Sequence, residues 1–274
     1  MDLLQAIVLG IVQGLTEFLP ISSSGHLRIV PAMVGWDDPG AAFTAVIQLG
    51  TMAAVVLYFR ADLIRIARAW LASLRDASRR SELDARLGWY LIFGTVPIVI
   101  FGVAFKDQIE NGARDLYLIG SMLIVFGIVL LVAEKVSRRE RDVSSLTRRD
   151  AIVVGFAQAL ALVPGVSRSG ATISAGLVLG LDRVSAARFS FLLSIPAVVL
   201  SGLYELKDVV GGSAKGSVGI APTAVATVLA FITGYAAIAL LLRFLTTHTT
   251  GVFVVYRVLL GAAVLALVAS GTIA

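Results

Sequence analysis

Apolar residues along this chain fall in blocks at about 2–19, 26–35, 41–59, 87–105, 116–133, 151–163, 171–181, 188–204, 220–242 and 252–272. Leu116–Ala133 and Ala221–Leu242 carry no charge and are long enough to cross a bilayer core. The pattern therefore predicts an all-α, polytopic integral membrane protein. His26–Gly35 and Ala171–Leu181 are too short to cross as helices, and each follows a break containing Pro, Ser and Gly. Each reads as the return arm of a re-entrant helical hairpin. Broken backbone is tolerated at membrane depth only where protein or a water-filled cavity surrounds it.

Composition agrees: 58% of the residues are hydrophobic and 15% charged, too apolar for an ordinary soluble domain. With no cysteine there is neither a disulfide nor thiolate chemistry. The N-terminus has no basic region or small-residue cleavage site and is not a signal peptide. A net charge of +5 could suggest nucleic acid, but the arginines sit in short loops between apolar blocks, so they report topology and no nucleic-acid partner is expected.

Loop 60–86, with Arg60, Arg65, Arg68, Arg75, Arg79, Arg80 and Arg86, and loop 134–150, with Lys135, Arg138, Arg139, Arg141, Arg148 and Arg149, belong in the cytoplasm. Loops 106–115 and 205–219, each with two basic residues, belong on the opposite side. Parity then requires residues 1–36 to begin and end outside and residues 151–181 to begin and end inside. The expected fold is six transmembrane helices plus two hairpins dipping in from opposite faces. Part of loop 60–86 is amphipathic and should lie on the cytoplasmic surface.

The two hairpins are related. Shifted by 145 residues, Gly10, Gln13, Leu15, Ser22, Ser24 and Gly25 fall on Gly155, Gln158, Leu160, Ser167, Ser169 and Gly170. Three spans follow each hairpin. That is the pattern of an inverted-topology repeat, with halves of about 1–133 and 151–272 linked by the basic loop 134–150 in a single membrane domain. Such repeats place broken helices near the midplane at the repeat interface.

Ionisable groups at membrane depth are costly and are functional candidates. Gln13 and Glu17 are four apart and share a helix face. Pro20 ends that helix, Ser22, Ser23, Ser24 and Gly25 form the turn, and His26 opens the next arm. In the partner hairpin Pro164 ends the helix, Gly165, Ser167, Arg168, Ser169 and Gly170 form the turn, and Thr172 starts the return arm. Each turn offers hydroxyls and backbone N–H groups at a helix N-terminus, a natural anion site. Arg168 adds a planar fork that matches phosphate oxygens. If the loops meet, the site suits a phosphate or diphosphate. Ser23 could attack with His26 as partner, or water could attack with Glu17 or His26 as base. Glu17 could instead hold a divalent ion, or pair structurally with Arg28 or Arg168. Arg257 either contacts the site or snorkels to the cytoplasmic edge. His248 lies in a Thr-rich cytoplasmic loop without assigned chemistry. Glycine-rich patches such as Gly261–Ala263 allow close helix contact and leave a homodimer open.

QGLTEFLPISSSGH and PGVSRSGAT resemble the two signatures of the bacterial undecaprenyl-diphosphate phosphatases, also called bacitracin-resistance proteins. The resemblance covers nearly the whole chain. It implies an enzyme of the bacterial cytoplasmic (inner) membrane that hydrolyses undecaprenyl diphosphate to undecaprenyl phosphate and inorganic phosphate. That reaction regenerates the lipid carrier for peptidoglycan and other envelope polymers. Carried over residue by residue, it implies catalytic roles for Glu17, Ser23, His26 and Arg168. It also carries over Gln13, Ser24 and Ser167, and the reading of the turns adds Ser22, Gly25, Gly165, Ser169, Gly170 and Thr172 as residues expected to bind substrate. The resemblance also implies a divalent cation, Mg or Ca, with Glu17 as its ligand, membrane lipid as surroundings and bacitracin as a competitor for the substrate. Gln13 stands where some members carry Glu, so Glu17 must act more alone. SSSGH also resembles part of the type-2 phosphatidic acid phosphatase motif, but that family needs a second catalytic histidine, and the only other one, His248, falls on the wrong face. The rival from another class is a transporter or flippase of a phosphorylated lipid or anion, because broken helices in inverted repeats also build transport sites.

Overall fold

The computed structural model describes residues 1–105, 115–210 and 219–273; the side chains of residues 41, 42 and 201–210 are outside the description. The described residues form α1 (Leu3–Phe18), α2 (Ser23–Val34), α3 (Gly40–Tyr58), α4 (Arg60–Arg75), α5 (Leu83–Ala104), α6 (Leu116–Val136), α7 (Arg148–Leu160), α8 (Arg168–Val178), α9 (Arg183–Val210), α10 (Ile220–Leu245) and α11 (Gly251–Ala269), with two short 3-10 turns. Helices α5, α6, α9, α10 and α11 are each long and apolar enough to cross a membrane. Helices α3 and α4 meet that standard only together, across a 76° bend, and bring the number to six where the pair counts as one span. The protein is an all-α, multi-pass membrane protein.

Helix α4 carries the amphipathic sequence of loop 60–86. It buries Ile66 and Ser73 and leaves Ile64, Leu71, Leu74 and its arginines exposed. Gly88 of α5 lies against it so closely that an added Cβ would stand 2.7 Å from the Trp70 Cβ.

The loops read as cytoplasmic are tied together at one end of the bundle. Arg188 pairs with Asp62 at 2.8 Å, and Arg86 donates to the Leu146 carbonyl at 2.5 Å. Arg141 reaches Asp150 at 2.5 Å and the Leu179 carbonyl at 2.8 Å. Glu134 at the end of α6 accepts from Arg139, Arg183 and the Thr250 hydroxyl. Four segments expected on one membrane face thus converge there. The sparsely charged loops expected on the opposite face fall mainly on 106–114 and 211–218, outside the described residues.

The hairpins are α1–α2 and α7–α8. The turns begin earlier, and the return arms start earlier, than the apolar pattern indicates. Helix α7 stops at Leu160 instead of continuing to residue 163, because residues leading into Pro164 are disfavoured in helical geometry; Ala161–Val163 form tight turns instead. Helices α2 and α8 start at Ser23 and Arg168, three residues before the apolar blocks, because the preceding serine caps each one. First arms pack on spans distant in sequence. On Gly10 an added Cβ would stand 2.5 Å from the Ala226 carbonyl oxygen of α10; on Gly155 it would stand 2.4 Å from that of Gly94 on α5. Only a residue without a side chain allows such approach. Gly261 is likewise pressed on Gly120 of α6, where an added Cβ would meet a carbonyl oxygen at 2.7 Å. Its close contact lies within the chain and gives no support to a dimer.

Candidate functional site where the two turns meet

The turns of the hairpins are built alike. Ser22 has φ 74° and Ser167 φ 71°, both in the left-handed region that non-glycine residues seldom adopt. Each hydroxyl accepts the N–H three residues on, from Gly25 at 3.3 Å and Gly170 at 3.1 Å. Each also lies 3.2 Å from the hydroxyl two residues on, Ser24 and Ser169. The Gly25 and Gly170 N–H groups are therefore spent on the caps. Those of Ser23, Ser24, Arg168 and Ser169 have no hydrogen-bond partner among the described residues. Two helix N-termini thus keep unpaired donors at one place.

Glu17, on the last turn of α1 and 6% exposed, receives donors from four directions. Its Oε2 accepts from the Ser23 hydroxyl at 2.6 Å and Gln13 Nε2 at 2.9 Å. Its Oε1 accepts from Gln48 Nε2 at 2.9 Å and from the Arg168 guanidinium. Arg168 arrives from the other hairpin, so the two turns do meet. The Ser169 hydroxyl crosses the same junction to the Leu19 carbonyl at 2.9 Å. The structural ion pair read as an alternative for Glu17 forms with Arg168; Arg28 pairs instead with Asp38 at 3.5 Å, away from the carboxylate.

His26 lies one turn along α2 and makes no hydrogen bond to Ser23 among the described residues. The serine–histidine pairing open from sequence is therefore replaced by a serine–carboxylate one. His26 Nδ1 is 2.7 Å from the Ser22 carbonyl and Nε2 is 2.7 Å from the Tyr256 hydroxyl.

Behind the turns lies Arg257, fully buried. It does not snorkel. Its guanidinium donates to the carbonyls of Pro20, Gly165, Val166, Met122 and Leu123 at 2.8–3.3 Å. One side chain thus holds one carbonyl from the first hairpin, two from the second and two from α6. Gly165, with φ 91°, fits closely against α6, where an added Cβ would stand 2.6 Å from the Ile119 carbonyl oxygen. Thr172 is buried, bonding the Arg168 carbonyl at 2.8 Å and the Ser190 hydroxyl at 2.5 Å. These two support the turns rather than line an opening.

The symmetry stops at the carboxylate: Leu162 occupies the position equivalent to Glu17. Gln158, equivalent to Gln13, is wholly buried with its amide unpartnered among the described residues. His248 stacks on Phe244 with centroids 4.4 Å apart, at the end of α10 and away from the two turns. Two residues of the site escape a reading of sequence. Gln48 had one signal, an amide inside an apolar span. Tyr256 had none beyond its place beside Arg257.

Among the described residues no three His, Cys, Asp or Glu side chains gather to hold a metal ion. The arrangement offers an arginine, unpaired backbone donors, one hydroxyl bonded to a carboxylate and one imidazole. That set can hold a multiply charged phosphate group and move a proton beside it. A family profile described as bacitracin resistance protein BacA matches residues 6–263. The chain belongs to the bacitracin resistance protein BacA family. Among its relatives, a protein named undecaprenyl-diphosphatase from Nocardioides sp. is 58% identical over 100% of this chain and 99% of that protein. One of the same name from Mycolicibacterium smegmatis is 55% identical, again over 100% and 99%. A third, from Chlorobaculum parvum, is 52% identical over 99% of both chains. In this BacA-family chain both signature segments lie in the paired turns.

Proposed function

We propose that this chain hydrolyses undecaprenyl diphosphate to undecaprenyl phosphate and inorganic phosphate, recycling the lipid carrier in the bacterial cytoplasmic membrane. Membership of the family and the names of its full-length relatives support the reaction. The observation that supports its site is the convergence of Ser23 and Arg168, from opposite hairpins, on Glu17.

In this reading the diphosphate enters over the two helix N-termini. Arg168 turns from Glu17 to the phosphate oxygens, and the N–H groups of Ser23, Ser24, Arg168 and Ser169 bind the same charge. Phosphoryl transfer depends mainly on such positioning and charge stabilisation. The Ser23 hydroxyl attacks the terminal phosphorus and its proton passes to Glu17 Oε2. The bond from phosphorus to the bridging oxygen breaks, and undecaprenyl phosphate leaves. Water then attacks the phosphoserine, and the proton it gives up is taken by His26 and later lost to solvent. Ser23 departs, taking back the proton from Glu17, and inorganic phosphate is released.

A divalent cation belongs to the same proposal. Gln13 Oε1 is a buried oxygen with no hydrogen-bond partner among the described residues, beside the Glu17 carboxylate. Oxygen donors of this kind suit Mg or Ca. The chain alone offers too few of them, so the phosphates would supply the remainder, and the ion would neutralise their charge. Membrane lipid surrounds the spans, and bacitracin competes for the lipid diphosphate.

The test is phosphate release from a prenyl diphosphate by purified protein in detergent, where no gradient exists. Turnover supports the reading. Tight binding without release of phosphate overturns it in favour of transport.

A further inference from the structure

Outside the carboxylate, the one polar contact among the described residues that reaches a proposed reacting group from a distant part of the chain is that of Tyr256. Its hydroxyl stands 2.7 Å from His26 Nε2 across a separation of 230 residues, and the two rings are nearly parallel, 5° apart with centroids separated by 5.6 Å. The other ring nitrogen fixes the direction of that bond. Nδ1 lies 2.7 Å from the Ser22 carbonyl oxygen, which can only accept. In the neutral ring the proton is therefore on Nδ1, Nε2 carries the lone pair, and the phenol is the donor. Histidine tautomer and ring orientation are set in this way by the partner of the second nitrogen.

We propose that Tyr256 carries the proton in the hydrolytic half of the reaction: as water attacks the phosphorylated Ser23, the Tyr256 hydroxyl takes a proton from the water and passes its own to the His26 Nε2 lone pair on which it already rests. This rests on the reading of His26 as acceptor of a proton from water. Three features support it. Ser23 gives its hydrogen bond to Glu17, leaving His26 free of the attacking step. Ser23 and His26 are three apart on α2 and share one face. Tyr256 also adjoins Arg257, which clamps both turns, so α11 sets the histidine and the loop backbone from neighbouring residues. The phenol is 43% exposed and so not required to fill the interior.

The experiment uses full-length protein labelled with 15N-histidine in detergent, where only His26 and His248 give signals and His248→Asn assigns them. At a pH where the ring is neutral, the His26 signals of the unmodified protein are expected to report an Nδ1–H tautomer with Nε2 as a hydrogen-bond acceptor. In Tyr256→Phe, which keeps the ring and removes the oxygen, the Nε2 signal should move towards that of an unbonded nitrogen. The turnover number should fall about tenfold with KM within about twofold. Phosphoserine should also accumulate in the variant during turnover, because only the second step is slowed. An Nε2–H tautomer in the unmodified protein overturns the proposal without reference to activity. So does a Phe variant with unchanged turnover, or one whose loss appears only when Tyr256→Leu removes the ring as well. If the unmodified protein releases no phosphate, the phosphatase reading fails while the tautomer still tests the contact.

Discussion

Ser23 and Arg168 occupy the same position in two like turns, each directly after its capping serine, and both hydrogen-bond Glu17. One half supplies a hydroxyl there and the other a guanidinium, and the carboxylate joins them. Glu17→Gln keeps the shape but removes the negative charge. Arg168 then has no counter-ion and Ser23 no acceptor for its proton. Phosphate release is expected to fall by about 10²–10⁴-fold, the usual contribution of a positioned base, with the protein still folded. Steady-state kinetics check this; activity near that of the unmodified protein would remove Glu17 from the proton transfer.

Gly10 and Gly155, 145 positions apart, let the first arm of each hairpin touch the backbone of a distant span. Valine at either place meets a backbone carbonyl that cannot swing away. Each substitution is expected to destabilise the fold by about 1–3 kcal/mol, and more where the helix cannot shift. Thermal unfolding in detergent measures it, with both variants expected to melt lower than the parent. A neutral Gly155→Val would contradict the observed fit of α7 on α5.

Arg257 is a buried cation satisfied by carbonyl oxygens from both turns and from α6. Hydrogen bonds to charged groups contribute roughly 1.5–3 kcal/mol each, against a desolvation cost of several kcal/mol for the ion. Arg257→Met leaves those carbonyls without their donor, so lowered thermal stability and lost activity are expected together. Arg257→Lys keeps the charge but offers three donors in place of five, and should fall between. Full activity in the Met variant would show that the turns hold their places without the clamp.

His248 lies on the loop after α10, stacked on Phe244, and not in the site. His248→Ala is expected to retain phosphate release within about twofold, since exposed positions away from buried networks seldom matter. A large loss of activity, with stability unchanged, would reopen the mechanism that needs two histidines.

The hairpins were legible because Pro, Ser and Gly interrupt apolar segments that had no other reason to stop. Glu17 and Arg168 were legible as charges where charge is expensive. The starts of α2 and α8 were misplaced by three residues, because polarity marks where apolar contact begins while a serine cap lets a helix begin earlier. The partners were less visible. Nothing local to HLR or VYR indicates that His26 and Tyr256 meet, since that pairing depends on how α11 packs on α6, which also touches α2. Arg257 looked equally suited to snorkelling until its carbonyl partners, drawn from three separate segments, were in place.

The account depends on Arg168 holding the diphosphate opposite Ser23, and its most direct test is phosphate release by purified Arg168→Ala and Arg168→Lys from a prenyl diphosphate in detergent. Loss of the charge clamp should lower turnover by about 10³-fold or more in the Ala variant, with only partial recovery in Lys because a point charge cannot reproduce the planar fork. Near-normal turnover in Arg168→Ala would contradict the site described at the meeting of the two turns.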